Sequence, residues 1–192
     1  MAHKFNPEDA WKLDRPERRK AIPPGDTLVR MGLRENDIFV DIGCGTGYFT
    51  IPAIDIVGHG GKVFGLDTSQ RMLDKLKSRM GPMPPPTLYL IKTGEYDFGI
   101  ERNCASFAFM SNVLHEVDEP KRFVDMVRDI LLPGGRFVLI DWVKRKSDFG
   151  PPEDHRLEQT FVEQLVTGRG FDIVETLTVG EDFYSIAAVV RH

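Results

Sequence analysis

The sequence predicts one α/β domain, a doubly wound, mostly parallel sheet of seven strands with helices on both faces and an antiparallel hairpin at the C-terminal end. Three observations predict it. Short apolar runs alternate with helical patterns from Ile38 onward. A turn rich in glycine, Gly43 to Gly47, follows the first of those runs. The last two runs are joined only by Gly180-Glu181-Asp182, too short a link for a crossover helix, so they must pair antiparallel. A length of 192 residues suits one domain with a sizeable core.

Each element follows in order. Ile38-Phe39-Val40-Asp41-Ile42 is apolar almost throughout, as a strand buried on both faces reads. Val63 to Asp67 is the second strand and Leu88 to Ile91 the third, opened by Pro84-Pro85-Pro86. Ala105 to Met110 is the fourth, and Arg136 to Trp142 the fifth, entered through the turn Pro133-Gly134-Gly135. Helices fit between them: Gly47 to Val57, Ser69 to Met80 with Ser69 as N-cap, Glu119 to Leu132 with Pro120 in its first turn, and Leu157 to Thr167. Phe171 to Val179 and Phe183 to Val190 form the hairpin. The stretch from Asn6 to Asp26 is polar and carries four prolines, Pro7, Pro16, Pro23 and Pro24.

Composition removes several classes. The formal net charge is -4, and no long Lys/Arg run offers the basic surface that a grip on nucleic acid needs. Arg15, Arg18, Arg19 and Lys20 are interleaved with Asp14 and Glu17, which reads as a solvated helix face. Two cysteines, Cys44 and Cys104, cannot build a disulfide framework, and no Cys/His spacing suits zinc; buried free thiols are expected. No apolar stretch reaches membrane-span length and the N-terminus lacks a signal-peptide core, so a cytoplasmic protein is expected. A homodimer is left open.

The chemistry centres on Asp41-Ile42-Gly43-Cys44-Gly45-Thr46-Gly47. Alternating glycines let the backbone turn sharply and approach a ligand closely, at the sheet position where open α/β folds bind ligands. The spacing fails a dinucleotide fingerprint, because Tyr48 or Thr50 stands where its third glycine belongs. A P-loop fails too, since no Lys follows Gly47. The leading acid, Asp41, would repel a pyrophosphate and suit a ligand bearing an amino group.

Val40 to Gly47 resembles the first motif of the class I S-adenosylmethionine (AdoMet)-dependent methyltransferases, a Rossmann-like fold. Asp67 stands at the end of the second strand, where that family places an acid on the ribose hydroxyls. Thr93-Gly94-Glu95 resembles the adenine-contacting segment, Phe109 to Val117 the fourth motif, and Leu131 to Arg136 the fifth. The resemblance spans roughly residues 20 to 190 and implies AdoMet as cofactor, held by Asp41, Gly43, Gly45, Gly47, Asp67, Thr68, Met72, Gly94, Glu95, Ser111 and Asn112. It also implies that residues 1–30 form a helical cap over the pocket and residues 31–192 the binding core of a single domain. Plainer readings stand beside these: a simple strand–helix turn for the glycines, an N-cap for Asp67, a solvated loop for Glu95 and core packing for Met72.

Methyl transfer from a sulfonium needs alignment and exclusion of water, and a base only where the acceptor is protonated. His115 is the candidate base, with a loop-shaping histidine as the alternative. Asp141, Trp142 and His155 are lesser candidates for the acceptor pocket. The Asn/Asp-Pro-Pro-Tyr signature for planar amides or exocyclic amines is absent; Ser111-Asn112-Val113-Leu114 stands in its place. Two cysteines are too few for arsenite chemistry. A small-molecule methyl acceptor is therefore expected, and Leu114-His115-Glu116 resembles the subgroup acting on quinone precursors. The alternatives are an AdoMet-binding protein without transfer, or methylation of a macromolecule.

Overall fold

The computed structural model describes residues 15–147 and 150–191, together with Glu8. Two short helices, α1 (Pro16–Ala21) and α2 (Pro24–Arg30), precede β1 (Ile38–Ile42). Then follow α3 (Thr50–Val57), β2 (Lys62–Asp67), α4 (Gln70–Met80), β3 (Leu88–Lys92), β4 (Ala105–Ser111), α5 (Pro120–Ile130) and β5 (Leu131–Trp142). The chain ends with α6 (Gln159–Gly168), β6 (Phe171–Val179) and β7 (Phe183–Val190). The expected cap falls on α1 and α2 and on residues 1–14, which lie outside the described part apart from Glu8.

The sheet order is β3-β2-β1-β4-β5-β7-β6, parallel except where β7 joins β5 and β6. The chain winds outward from β1 to β3, then returns to pair β4 on the free side of β1. That reversal opens a crevice beyond the carboxyl ends of β1 and β4, the place where open α/β sheets hold ligands.

The helices face the sheet because their apolar residues recur at helical spacing. On α5 these are Phe123, Val124, Val127 and Ile130, all buried. On α4 they are Met72, Leu73 and Leu76. The core on one face packs α5 and α6 over Val40, Met110 and Leu139; the opposite core packs α2 and α3 over Phe39, Phe107 and Phe109.

Two element starts are displaced from the sequence expectation by several residues. Helix α3 begins at Thr50 rather than Gly47, because Gly47 has φ +86° and cannot continue a right-handed turn. Strand β5 begins at Leu131, so Pro133-Gly134-Gly135 forms a bulge inside the strand instead of a turn before it. Phe161 points off the buried face of α6 and is exposed. Cys104 is half-buried, less than expected, whereas Cys44 is buried; both are free.

Gly43 and Gly81 separate backbone strain from steric clash. Both have positive φ, +72° and +75°. A Cβ on Gly43 would overlap the Val113 side chain, whereas a Cβ on Gly81 would meet nothing within 4 Å. Gly81→Ala should therefore cost about 1–2 kcal/mol from conformation alone. Gly43→Ala should cost roughly 2–4 kcal/mol in urea unfolding, because overpacking adds to it. Equal losses for the two variants would show that Val113 does not confine the loop.

Candidate functional site

The glycine loop leaves β1 and is tied at once to the end of β2. The backbone amides of Gly43 and Cys44 both donate to Leu66 O, at 2.8 and 2.9 Å. The next amide, Gly45 N–H, donates to Asp67 Oδ2 at 2.8 Å, and Gly47 N–H donates to Cys44 O at 3.0 Å. Gly43, Gly45 and Gly47 all have positive φ, a sequence of left-handed steps that side chains resist. Four loop donors are thus satisfied within the protein, which leaves little of the amide cradle that a phosphate requires.

Asp67 does two things. Its Oδ2 takes the Gly45 amide and its Oδ1 takes the Ser69 amide at 2.8 Å, so it also caps the approach to α4. Ser69 itself makes no side-chain cap bond. Burial pushes the Asp67 carboxyl above its ordinary pKa, against the two amide bonds that pull it down. Each carboxylate oxygen keeps a further lone pair for a ligand hydroxyl.

Asp41 lies deeper, 3% exposed, and accepts the Thr50 hydroxyl at 2.6 Å. Burial raises its pKa to about 7, the Thr50 bond works against that, the Asp67 charge adds to it, and the Arg18 charge opposes it. A ligand ammonium beside it would favour the ionised form.

Across the crevice, β4 ends in Ser111, and Asn112 follows it. Asn112 adopts φ +59° and donates its amide to Ile140 O at 2.8 Å. Among the described residues, Ser111 Oγ and Asn112 Oδ1 are buried without a hydrogen-bond partner. Buried polar atoms left open are costly, and here they flank the crevice, as a bound polar ligand would require.

The remaining predicted residues fall at differing depths. Thr68 and Gly94 are exposed, and Gly94 is held in a bridge to Asp97. Glu95 is half-buried, its Oε1 accepting the Asp118 amide at 3.4 Å, so it ties two loops together. Met72 is buried at 4% exposure on α4, as core packing requires.

His115 sits in a 3-10 turn after β4, Leu114–Glu116, and is buried. Its Nδ1 lies 2.7 Å from Asp141 Oδ1, and its backbone amide donates to Asp141 Oδ2 at 3.3 Å. A carboxylate can only accept, so Nδ1 carries the proton. Nε2 is 3.8 Å from Glu116 Oε1. Burial by itself lowers the imidazole pKa, but Asp141 by charge and hydrogen bond, and Glu116 by charge, outweigh it and the net shift is upward.

Sequence reasoning placed Asp141 and Trp142 on the acceptor side but missed what joins them. Asp141 also accepts the Trp142 amide, and Tyr184 stands opposite it on β7. Burial raises the Tyr184 phenol pKa, and its hydroxyl has no partner among the described residues. Arg156, 2% exposed, donates to Pro151 O, Val143 O and Ser147 Oγ and lies over Trp142, so it pins the loop after β5. His155 is half-buried beside it. Nothing in residue spacing foretells these pairings.

A doubly wound sheet with an internally satisfied Asp-x-Gly-x-Gly-x-Gly loop at its switch point and an acid ending β2 defines the class I methyltransferase architecture. Residues 40–139 match the family described as a methyltransferase domain, and the chain belongs to that family. A structure of a SAM-dependent methyltransferase from Aquifex aeolicus superposes with a TM-score of 0.91 at 26% identity, covering 97% of this chain and 100% of that one. A demethylmenaquinone methyltransferase of Oceanobacillus iheyensis is 28% identical over 116 residues, 60% of this chain and 49% of the relative. A 2-phytyl-1,4-naphtoquinone methyltransferase of Trichormus variabilis is 27% identical over 157 residues, 81% of this chain and 65% of the relative. The chain spans about half to two thirds of the length of these curated relatives.

The buried carboxyl yields a stability test. The folded pKa of Asp41, about 7, exceeds its ordinary 3.8, so the folded chain holds this proton more tightly than the unfolded one. The group's contribution is complete below pH 3.8 and is lost as pH rises through about 7. Without cofactor, Asp41→Asn should therefore gain stability relative to wild type with rising pH, by as much as roughly 4 kcal/mol. Parallel stability profiles for the two proteins would show that Asp41 is ionised in the fold throughout.

Proposed function

We propose that this chain binds AdoMet and transfers its methyl group to a small, quinol-type aromatic acceptor. One observation carries the cofactor half: the loop spends its amides on Leu66 and Asp67 and offers carboxyls where a phosphate site would offer donors. Asp67 would take the ribose hydroxyls, with Thr68 beside it. Ser111 and Asn112 would close the other wall, and Gly94 and Glu95 would flank the adenine. Bound AdoMet would supply a methyl group on a sulfonium, already activated for in-line displacement. The chain's part is alignment and exclusion of water. The acceptor class rests on the names of the quinone-methylating relatives. No helix among the described residues is long and apolar enough to cross a membrane, and those residues hold no cluster fit for a metal.

We also propose His115 as the base for a protonated acceptor. With Nδ1 committed to Asp141, Nε2 is the nitrogen that would receive the proton. The second reading, a loop lock, is favoured by the bond from the His115 amide to the same carboxylate.

The experiment has two stages. In thermal scans AdoMet should raise the melting temperature and NADH should not, by mass action on the native state. A shift with NADH alone would overturn the cofactor assignment. With 1,4-naphthoquinol derivatives as acceptors, His115→Ala should then slow transfer by ~10²–10⁴-fold at nearly unchanged AdoMet affinity. The wild-type rate should fall with decreasing pH, and the variant should lose that dependence. A parallel fall in affinity and rate, with the pH profile kept, would leave His115 as the lock only.

A further inference from the structure

Arg18, in the basic stretch before β1, is half-buried over the Tyr48 ring at 4.4 Å and does not stand on a solvated face. A second group of guanidiniums gathers at the opposite end of the sheet. Pro133-Gly134-Gly135 bulges out of β5 there, and the pairing of β4 with β5 skips between Ala105 and Phe107. Beside the bulge lies a cavity of about 630 Å³, with an apolar lining from Leu131, Pro133 and Val190 and a charged one from Arg102, Arg128, Asp129 and Arg191. Along β5 it is about eight residues from Asp141, roughly 26 Å at the rise of a strand, so it is no part of the crevice.

One carboxylate serves two of these cations. Arg102 Nη2 donates to Asp129 Oδ2 at 2.8 Å, and Arg128 Nη2 lies 3.8 Å from Asp129 Oδ1. Arg128 Nη1 donates to Arg169 O at 3.2 Å, a closeness that Gly170 permits, since a Cβ there would stand 3.3 Å from that nitrogen. Arg191 gives its Nε to Asp172 Oδ1 at 2.9 Å and its Nη2 to Phe171 O at 3.2 Å. The lining thus carries three cations and one anion, with Asp172 just outside it, in a chain of net charge -4. Ion pairs this open to water are weak, so a ligand can compete for them. Helix α5 ends at this wall, where bare carbonyls would repel an anion. The amides of Asn103 and Cys104 take Asp129 O and Ile130 O, each at 2.9 Å, which removes that obstacle.

We propose that this cavity is a second small-molecule site, which binds an organic phosphate. A phosphate group brings about two negative charges and three acceptor oxygens, which suits guanidiniums converging from three segments: the loop before β4, the end of α5 and the residue after β7. Arg102 leaves Asp129 and turns its planar fork to the phosphate oxygens, a geometry that guanidinium matches in two parallel bonds. The carbon skeleton of the ligand lies along Leu131, Pro133 and Val190. The volume is that of an ordinary small-molecule pocket. The site is independent of the AdoMet reading and goes beyond it, and it gives the bulged Pro133-Gly134-Gly135 segment a part that the crevice does not.

Amide-resolved NMR titrations at low ionic strength with two probes, inorganic phosphate and phenyl phosphate, test it. Both should shift the amides of Asn103, Gly170 and Val190 saturably and leave those of Gly45 and Asn112 in place. Phenyl phosphate should bind about tenfold more tightly than inorganic phosphate, through its apolar contact. Arg102→Gln and Arg191→Gln should each weaken phenyl phosphate by about three- to tenfold. Asp129→Asn removes the competing carboxylate and should tighten it by about threefold. Arg30→Gln makes the same change of charge on α2 and should leave the affinity as it is. Melting curves confirm that each variant folds. Shifts that do not saturate, or equal losses in Arg30→Gln and Arg102→Gln, would overturn the site, because only net charge would then be sensed. Equal affinities for the two probes would overturn the organic phosphate as its ligand.

Discussion

Asp67 holds two strand ends and a helix start together with one carboxylate. Its oxygens take the amide of Gly45 and the amide of Ser69, so the loop after β1 and the turn after β2 share a single anchor. The loop can meet that anchor only because Gly43, Gly45 and Gly47 step through left-handed backbone that other residues resist. Leu66 O then takes the two preceding amides. The crevice at the sheet's switch point gains its floor from this arrangement, and α3 starts late because of it.

Charge is distributed around that floor with consequences for the ligand. Two acids stand at the loop, Asp41 and Asp67, and burial raises the pKa of both, that of Asp41 to about 7. Arg18 lies over the Tyr48 ring and its charge lowers the Asp41 pKa against burial. On the acceptor side Asp141 takes the ring and amide of His115 and the amide of Trp142, which joins the ends of β4 and β5 into one wall. Alignment and exclusion of water need walls of this kind.

Local patterns in the sequence foretold the parts of the fold that local physics decides. The hairpin from Phe171 to Val190 followed from a three-residue link, and β1 from an unbroken apolar run. Boundaries failed where tertiary contact overrode the local signal. Pro133-Gly134-Gly135 reads as a turn, yet the chain on either side pairs with β4 and makes it a bulge. The shape of the candidate site was legible where the loop needs a special backbone, as at Gly43, Gly45 and Gly47. It was illegible where distant residues meet: Thr50 with Asp41, His115 with Asp141 across 26 positions, and Arg18 with Tyr48. A basic residue among acids on a short helix carries no sign of the ring it will cover.

The most direct measurement concerns the anchor itself. Asn at position 67 keeps one oxygen acceptor and removes the charge, so Asp67→Asn should fold with a modest loss of melting temperature. Calorimetric titration with S-adenosylhomocysteine should then show affinity reduced by about ten- to a hundred-fold relative to wild type, because the charged bond to the loop and the one proposed to the ribose would be lost together. Wild-type affinity in a folded Asp67→Asn protein would contradict the central claim, since the loop and its ligand would then not depend on this carboxylate.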